Sequence, residues 1–447
     1  MWIPVLRNMV AGLWVAAATV FLAAPTTGGS AAAAEAAASP EAKIPELEEA
    51  AKSFRIGDYD GAMRAMQAAA KKHPDLPPAE VMMASWFAAG NQPAMTHDAC
   101  QRAAIAAPND PEPYQILGEL SMRNREIVEA TLLFDKAMAL VAAAKEPTPR
   151  LKTIKLRALG GLAAAAQARQ AWDVAQSHLE ALLAEDPKNA LALQQLGQAL
   201  FMQKKEDLAL EKLREAAKLN DALLGGEATL AQLYHQLGDE KSAGKWMLEA
   251  IKASPRDPKT RVLAAQWSYD IGKFDQAEEQ AKAAVQLDPT SLSAQLIRGA
   301  VALMRKDYKT AQEFYEKAHL QSPSHLTATN NLALALAEQE EESKRRLALE
   351  YAQINARVYP DQSDTLATLG WALYRLGRLD EAQSTLGKAI SLPRPSPDTF
   401  YFAARVVAER GRKDEARMLL QSPIMKSTSP YLMRKEAEAL LEQLSGR

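Results

Sequence analysis

Along this chain proline recurs at a fixed interval, and alanine precedes it at two fixed distances. Pro74, Pro255, Pro289 and Pro323 each have an alanine 12 and 5 positions earlier: Ala62 and Ala69, Ala243 and Ala250, Ala277 and Ala284, Ala311 and Ala318. The step from Pro74 to Pro108 equals those from Pro255 to Pro289 and from Pro289 to Pro323, a period of 34. Pro187 to Pro255 is two such steps, with Asp221 at the midpoint in place of proline. A third small residue stands 24 positions before each proline: Ala50, Ala84, Ala163, Ala231, Ala265 and Gly299. Gly118, Gly197 and Gly370 take that place where the proline is missing. A chain that repeats itself at so short a period cannot wrap one central core. Each unit has to bury its apolar face against the next.

The chemistry of these positions predicts an antiparallel helix pair. Proline lacks an amide hydrogen and cannot sit in a helix interior, so it fixes the turn into the next unit. Three small sites let the two helices, and the following pair, approach closely. Large apolar residues such as Leu193, Leu196, Leu200 and Leu213 fill the space between. The stops LGD at Leu237, IGK at Ile271 and LGR at Leu376 close the first helix of a pair. This frame starts units at Lys43, Pro77, Pro111, Leu156, Ala190, Leu224, Pro258, Leu292, Leu326, Ser363 and Pro397. It also exposes departures. The first helix of the first unit is poor in large apolar residues, as suits an end unit facing solvent. The 11 extra residues before the fourth unit, Lys145–Arg150 among them, predict a break or hinge. Three extra residues around Glu338–Arg346 are expected in the loop of the ninth unit. Pro423 replaces a small residue of the last second helix, which should stop early. The final segment, Tyr431–Leu444, is amphipathic, with Leu432, Leu440, Leu441 and Leu444 available to cap the open end.

At these small–Ala–Ala–Pro positions the chain resembles the tetratricopeptide repeat (TPR) family, in register over nearly all of its length beyond the N-terminal segment. The resemblance implies an all-α fold: a right-handed α-solenoid of about ten to eleven helix hairpins with a C-terminal capping helix. The expected organisation is a signal peptide and Ala-rich linker over 1–39 and a first block of repeats over 40–144. A Pro-containing break over 145–155, a second block over 156–427 with a degenerate last repeat, and the capping helix over 428–447 complete it.

Arg7 precedes an apolar run, Met9–Ala24, which Pro25, Gly28, Gly29 and Ser30 terminate. Small-residue cleavage sites follow, for example after Ala34 or Ala36. The run is shorter than the roughly 20 residues of a spanning helix. An exported protein is expected, periplasmic or otherwise extracytoplasmic. The alternative is an inner-membrane anchor with periplasmic repeats. No cysteine follows the apolar run, so a lipoprotein signal is not matched. With 53 Lys and Arg against 55 Asp and Glu, the chain carries no basic footprint for nucleic acid. Its single cysteine, Cys100, excludes an intramolecular disulfide and a thiolate zinc site, and reads as a small buried residue.

No GxxxxGK[ST], HExxH or GxSxG motif occurs, and no GxGxxG follows a strand. The six histidines are scattered, and the repeats consume the chain from Lys43 to about Ser427. The reading is therefore a non-enzymatic scaffold with no catalytic or metal-binding residues and no cofactor. A protein or peptide partner would bind in the concave surface lined by first helices, with a membrane involved only through an uncleaved leader. Partner identity and oligomeric state stay open. In the TPR family, ligand contacts project from particular first-helix positions. Here the ninth position carries Gln198, Gln232 and Gln266 in three consecutive units, and three residues on come Phe201, His235 and Tyr269. Spacing of i and i+3 puts each pair on one helix face. A glutamine amide donates and accepts, which suits an extended peptide backbone, and an aromatic ring adds contact area. A second group is Trp371, Tyr374 and Arg375 with Tyr401 and Arg405, residue types common at interface hot spots. Trp371 shares the glutamine column and is expected on the open side, although packing of these aromatics across a repeat boundary is the competing reading. The Lys/Asn/Arg clamp by which some TPR modules hold acidic chaperone tails is not matched by Gln115 and Glu119, Gly160 and Ala164, or Gln194 and Gln198. The stretches NNLALALAE at Asn330 and TLGWALYRLGRLDEA at Thr368 loosely resemble TPR proteins of bacterial envelope, exopolysaccharide or secretion systems.

Overall fold

A computed structural model describes residues 44–446 of the chain. The expected leader and linker, residues 1–39, lie outside the described residues. Among the described residues there are 23 α-helices, one short 3-10 turn and no strand. They form two compact blocks that divide between Gly226 and Glu227. The first holds five antiparallel helix pairs, from Pro45–Arg55 with Tyr59–Lys72 to Ala190–Met202 with Glu206–Leu219. The second holds six, from Gly226–Gln236 with Glu240–Ala253 to Pro397–Glu409 with Lys413–Leu420, followed by a single helix, Arg434–Leu444. Each block is a stack of hairpins, an all-α solenoid in which each pair packs on the next.

The small sites are where the helices touch. Ala62, Ala69, Ala277, Ala284, Ala311, Ala318, Ala382 and Ala389 are all fully buried. The residue 16 positions later explains where glycine is needed. Gly118, Gly197, Gly299 and Gly370 face Phe134, Leu213, Tyr315 and Leu386. A Cβ on these glycines would lie 2.7, 2.6, 2.8 and 2.5 Å from those side chains, closer than real Cβ atoms come. Gly161 closes on the same Phe134 ring from the following first helix. Where the site is alanine, the residue at that spacing is often slimmer: Met66 after Ala50, Cys100 after Ala84, Met247 after Ala231 and Ala281 after Ala265. Two alanines, Ala163 and Ala404, have leucine there instead, Leu179 and Leu420.

The turn inside ten of the eleven hairpins is also repeated. One left-handed residue ends the first helix: Gly57, Gly238, Gly272, Gly377 and Gly411 in five repeats, and Asn91, Arg125, Gln170, Lys204 and Lys306 in five others. A non-glycine residue there costs roughly 1 kcal/mol. In three repeats an aspartate caps the second helix that follows. The side chains of Asp58, Asp239 and Asp307 accept from the backbone N–H of Gly61, Ser242 and Thr310.

Three details differ from the sequence expectation. The additional residues before the fourth repeat are mostly helical. Helix Pro149–Ala168 starts well ahead of the frame, with proline in its first turn and Thr148 capping Leu151 N–H at 3.2 Å. Arg150 on this extension donates to Asp110 at 2.7 Å and to Glu112 at 2.6 Å, tying it back to the third repeat. The three extra residues of the ninth repeat lengthen the second helix rather than its loop. Glu342–Val358 has 17 residues against 14 in Tyr308–Gln321, because its Glu, Lys, Arg and Leu are good helix formers. The last second helix, Lys413–Leu420, does stop after 8 residues. Helix Arg434–Leu444 packs on that helix and on Pro397–Glu409, with Arg417 donating to the Leu444 carbonyl at 2.9 Å. The segment before it, however, turns onto the first-helix face of the block, where Pro430, Tyr431 and Leu432 meet Tyr269, Ala300 and Leu334.

Candidate partner-binding site

Trp371 lies inside the fold, 4% exposed. Its ring stacks on Phe402, with centroids 4.3 Å apart, and on Tyr374 at 4.8 Å, while Tyr401 is 6.0 Å away. Phe402 and Tyr401 belong to the next first helix, which covers the indole, so the column position alone does not expose it. The indole N–H donates to Glu338 Oε1 at 2.5 Å. Arg375 donates to Glu338 Oε2 at 2.5 Å and to its carbonyl oxygen at 3.3 Å. The Glu338 side chain is only 8% exposed. A carboxylate at the end of helix Leu326–Ala337 is thus held by a guanidinium and an indole donor. Over this base, Arg405 Nε donates to the Tyr374 hydroxyl oxygen at 3.0 Å and its guanidinium pairs with Glu409 at 3.4 Å. Tyr374 and Arg405 are half-buried, while Tyr401 is buried. Burial pushes the Tyr401 hydroxyl up to about 12, so it stays a neutral hydrogen-bonding group.

The second and third rungs of the glutamine ladder meet through acids outside the glutamine and aromatic columns. His235 Nδ1 lies 2.9 and 3.1 Å from the two Glu240 oxygens, and Nε2 lies 3.3 Å from Asp270. Gln266 Nε2 donates to Asp270 at 2.7 Å, and the Trp267 indole donates to Glu240 at 2.8 Å. Burial lowers the His235 pKa, but hydrogen bonding and charge from Asp270 and Glu240 outweigh it, and the net shift is upward. Gln232 and His235 are half-buried, whereas Gln266 and Tyr269 are buried. Burial raises the Tyr269 hydroxyl far above its ordinary range. Asp270 follows Gln266 by four residues, so helical spacing could have pointed to it. Glu338 carried no such signal, since its partners are 33 and 37 residues away.

The first rung belongs to the first block, where Gln198 is half-buried and Phe201 is buried. In that block Glu119 is also buried and accepts from Arg157 at 2.8 and 2.6 Å. Burial pushes the Glu119 carboxyl upward, against the pull of Arg157. Cys100 is fully buried, and burial, with Glu112 and Glu119 nearby, pushes its thiol up to about 12, which leaves it unreactive. Among the described residues no group of three or more His, Cys, Asp or Glu could hold a metal ion, and no helix is long and apolar enough to cross a membrane.

A sequence profile described as Tetratricopeptide repeat matches residues 161–222, 268–320 and 367–422. A second profile of the same description matches residues 228–257. The chain belongs to the tetratricopeptide repeat family. Among curated proteins, this TPR chain is 32% identical over 77 residues to Hsp70-Hsp90 organizing protein 2 of Arabidopsis thaliana. That match covers 17% of this chain and 14% of the relative, so the chain spans only a small part of that protein's length. Among solved structures, yeast Tom70 aligns over 90% of this chain and 95% of its own at 13% identity and a TM-score of 0.37. TTC0263, a TPR protein of Thermus thermophilus, aligns over 41% of this chain and 99% of its own at 19% identity and a TM-score of 0.37. TPR repeats of this kind are protein-interaction modules, and that coarse function is what the chain's repeats supply.

Proposed function

We propose that this TPR chain is a non-enzymatic scaffold that binds a peptide or protein partner on the first-helix face of its second block. The observation that carries the reading is the Trp371–Glu338–Arg375 base beneath half-buried Tyr374 and Arg405. Buried, mutually packed aromatics with an arginine at their edge are what interface hot spots are made of. A display library of peptides selected on the full chain tests it. Selected peptides should bind at least tenfold more weakly to Arg405→Ala, with thermal unfolding unchanged. Equal binding to both chains removes the site from consideration.

The proposal includes export, with a role in bacterial envelope, exopolysaccharide or secretion machinery. Arg7, the apolar run Met9–Ala24 and the Ala-rich residues after it support this. N-terminal sequencing of the protein from cells should find a start after Ala34 or Ala36. A residue-1 start on membrane-bound material replaces the released form with the tethered one.

A further inference from the structure

We propose that the segment Ser427–Met433 occupies a peptide site in the second block as a built-in competitor. The external ligand of that site would be a peptide with the same chemistry: a proline followed by an aromatic and an aliphatic residue. The inference rests on the reading of this chain as a peptide-binding scaffold and names what the scaffold recognises.

The site has a polar anchor and an apolar cleft. Asp398, 1% exposed, accepts from two consecutive backbone N–H groups of the segment, Leu432 at 3.1 Å and Met433 at 2.8 Å. Those groups stand at the N-terminus of helix Arg434–Leu444, where a carboxylate is favoured and where the helix has no side-chain cap of its own. Main-chain donors are common to every peptide, so this anchor does not depend on the tail's own side chains. The cleft is formed by Tyr269, Ala300, Leu303, Met304, Tyr315 and Leu334, and Pro430, Tyr431 and Leu432 enter it. The fit is close. Pro430 Cγ lies 3.5 Å from where a Cβ on Gly272 would stand, and the space left is about 20 Å³. That is room for about one water molecule.

The segment in the cleft and the helix that follows it are held by separate contacts. The helix buries Ala437 and Leu440 against the second block, with Leu441 and Leu444 packed beside them, and adds a partly exposed Lys306–Glu436 ion pair and Arg417 on the Leu444 carbonyl. A partly exposed pair contributes modestly and is weakened by salt. A helix of 11 residues is marginal once undocked. The tail also folds back on itself. Arg434 lies over the Tyr431 ring at 4.4 Å and donates to the carbonyls of Ser427 and Ser429, both at 2.8 Å. It arrives as a preformed turn at an effective concentration set by its tether, which an external peptide has to exceed.

A fluorescein-labelled peptide spanning residues 427–434 is the probe, and anisotropy is the readout. It should bind at least tenfold more tightly to a full chain carrying Tyr431→Ala and Leu432→Ala, whose own tail has lost its cleft contacts. Adding Asp398→Asn to that chain should reverse most of the gain. Where the double variant loses its helical signal, Lys306→Glu serves instead, because it breaks the Lys306–Glu436 pair without changing a residue of the cleft. It should tighten probe binding about threefold, and the charge swap Lys306→Glu with Glu436→Lys should restore the original value. Probe binding that is no tighter to either tail-loosened chain overturns the inference. If library-selected peptides still bind those chains while the probe does not, the scaffold reading survives and this inference alone fails. If no peptide can be selected on any of the chains, both fall.

Discussion

The Glu338 cluster and the His235 cluster lie on the first-helix face of the same block and hold carboxylates by different means. In each, an indole N–H donates to a glutamate: Trp371 to Glu338 and Trp267 to Glu240. The counter-charge differs. Glu338 is paired with Arg375, which stays protonated at any ordinary pH. Glu240 and Asp270 are paired with His235, whose charge comes and goes near neutrality. Burial differs in the same sense, since the Glu338 side chain is 8% exposed and that of Glu240 is 42% exposed. Repeat geometry delivers the same kind of contact at both places. Local choice of cation decides whether the contact is a fixed part of the core or a titratable link on its edge.

The largest effect expected from this difference is at the two tryptophans. Trp371→Ala should cost about 4 kcal/mol, the usual loss for a fully buried aromatic. Trp267→Ala should cost about half as much, because that ring is half-buried. Urea unfolding measures both, and equal losses break the comparison. At the acids, Glu338→Gln leaves the Arg375 charge without its partner in a mostly buried setting and should cost about 3 kcal/mol. Glu240→Gln should cost below about 1 kcal/mol, as exposed pairs do. A similar cost at both would mean that burial is not what separates the clusters.

A smaller effect tests the hairpin that carries Trp371. Gly370→Ala drives a Cβ against Leu386 and should cost about 2 kcal/mol, as overpacking does. Ala265→Gly, in the hairpin that carries Trp267, opens only a methyl-sized gap and should cost about 1 kcal/mol. Thermal unfolding of the two variants gives the ranking directly.

The fold can be read from the sequence because it is periodic. Spacing alone puts Ala231, Ala265, Ala277 and Ala311 in helix contacts, and all are buried. The size match behind them, Gly299 with Tyr315 or Gly118 with Phe134, also recurs at one fixed offset along the chain. A small site says nothing of what fills it, so that match shows itself only once the helices are paired. The candidate site is less legible for a related reason. A column position fixes where a side chain leaves its helix, not what the neighbouring helix lays over it. Trp371 shares a column with Gln232, yet Phe402 covers the one and not the other. The tail lies outside the repeat frame altogether. Asp398 reads in sequence as an ordinary acid in the first turn of a helix, and only the returning chain turns it into an anchor for Leu432 and Met433.

The smallest expected effect follows from the titratable cation. The pKa of His235 is raised in the folded chain, so its protonated form is stabilised by Asp270 and Glu240. Below the unfolded value of about 6.5 the imidazole is charged in both states, and this contribution is fully present. As pH rises through the raised folded value the proton leaves, and the contribution goes with it. Through His235 the second block should therefore lose stability from pH 6 to pH 8, a slope of up to about 1 kcal/mol with the pair partly screened by solvent, while His325, whose pKa burial lowers, pulls the other way. His235→Gln should flatten that slope and cost more at pH 6 than at pH 8. Urea midpoints at the two pH values measure both. A His235→Gln cost that is larger at pH 8 than at pH 6 would mean that burial of the ring outweighs its two acids. In a chain already carrying Glu338→Gln the slope should be unchanged, because Arg375 and Trp371 do not titrate in this range. Loss of the slope there would mean that the two clusters are one coupled network rather than two independent answers to the same packing problem.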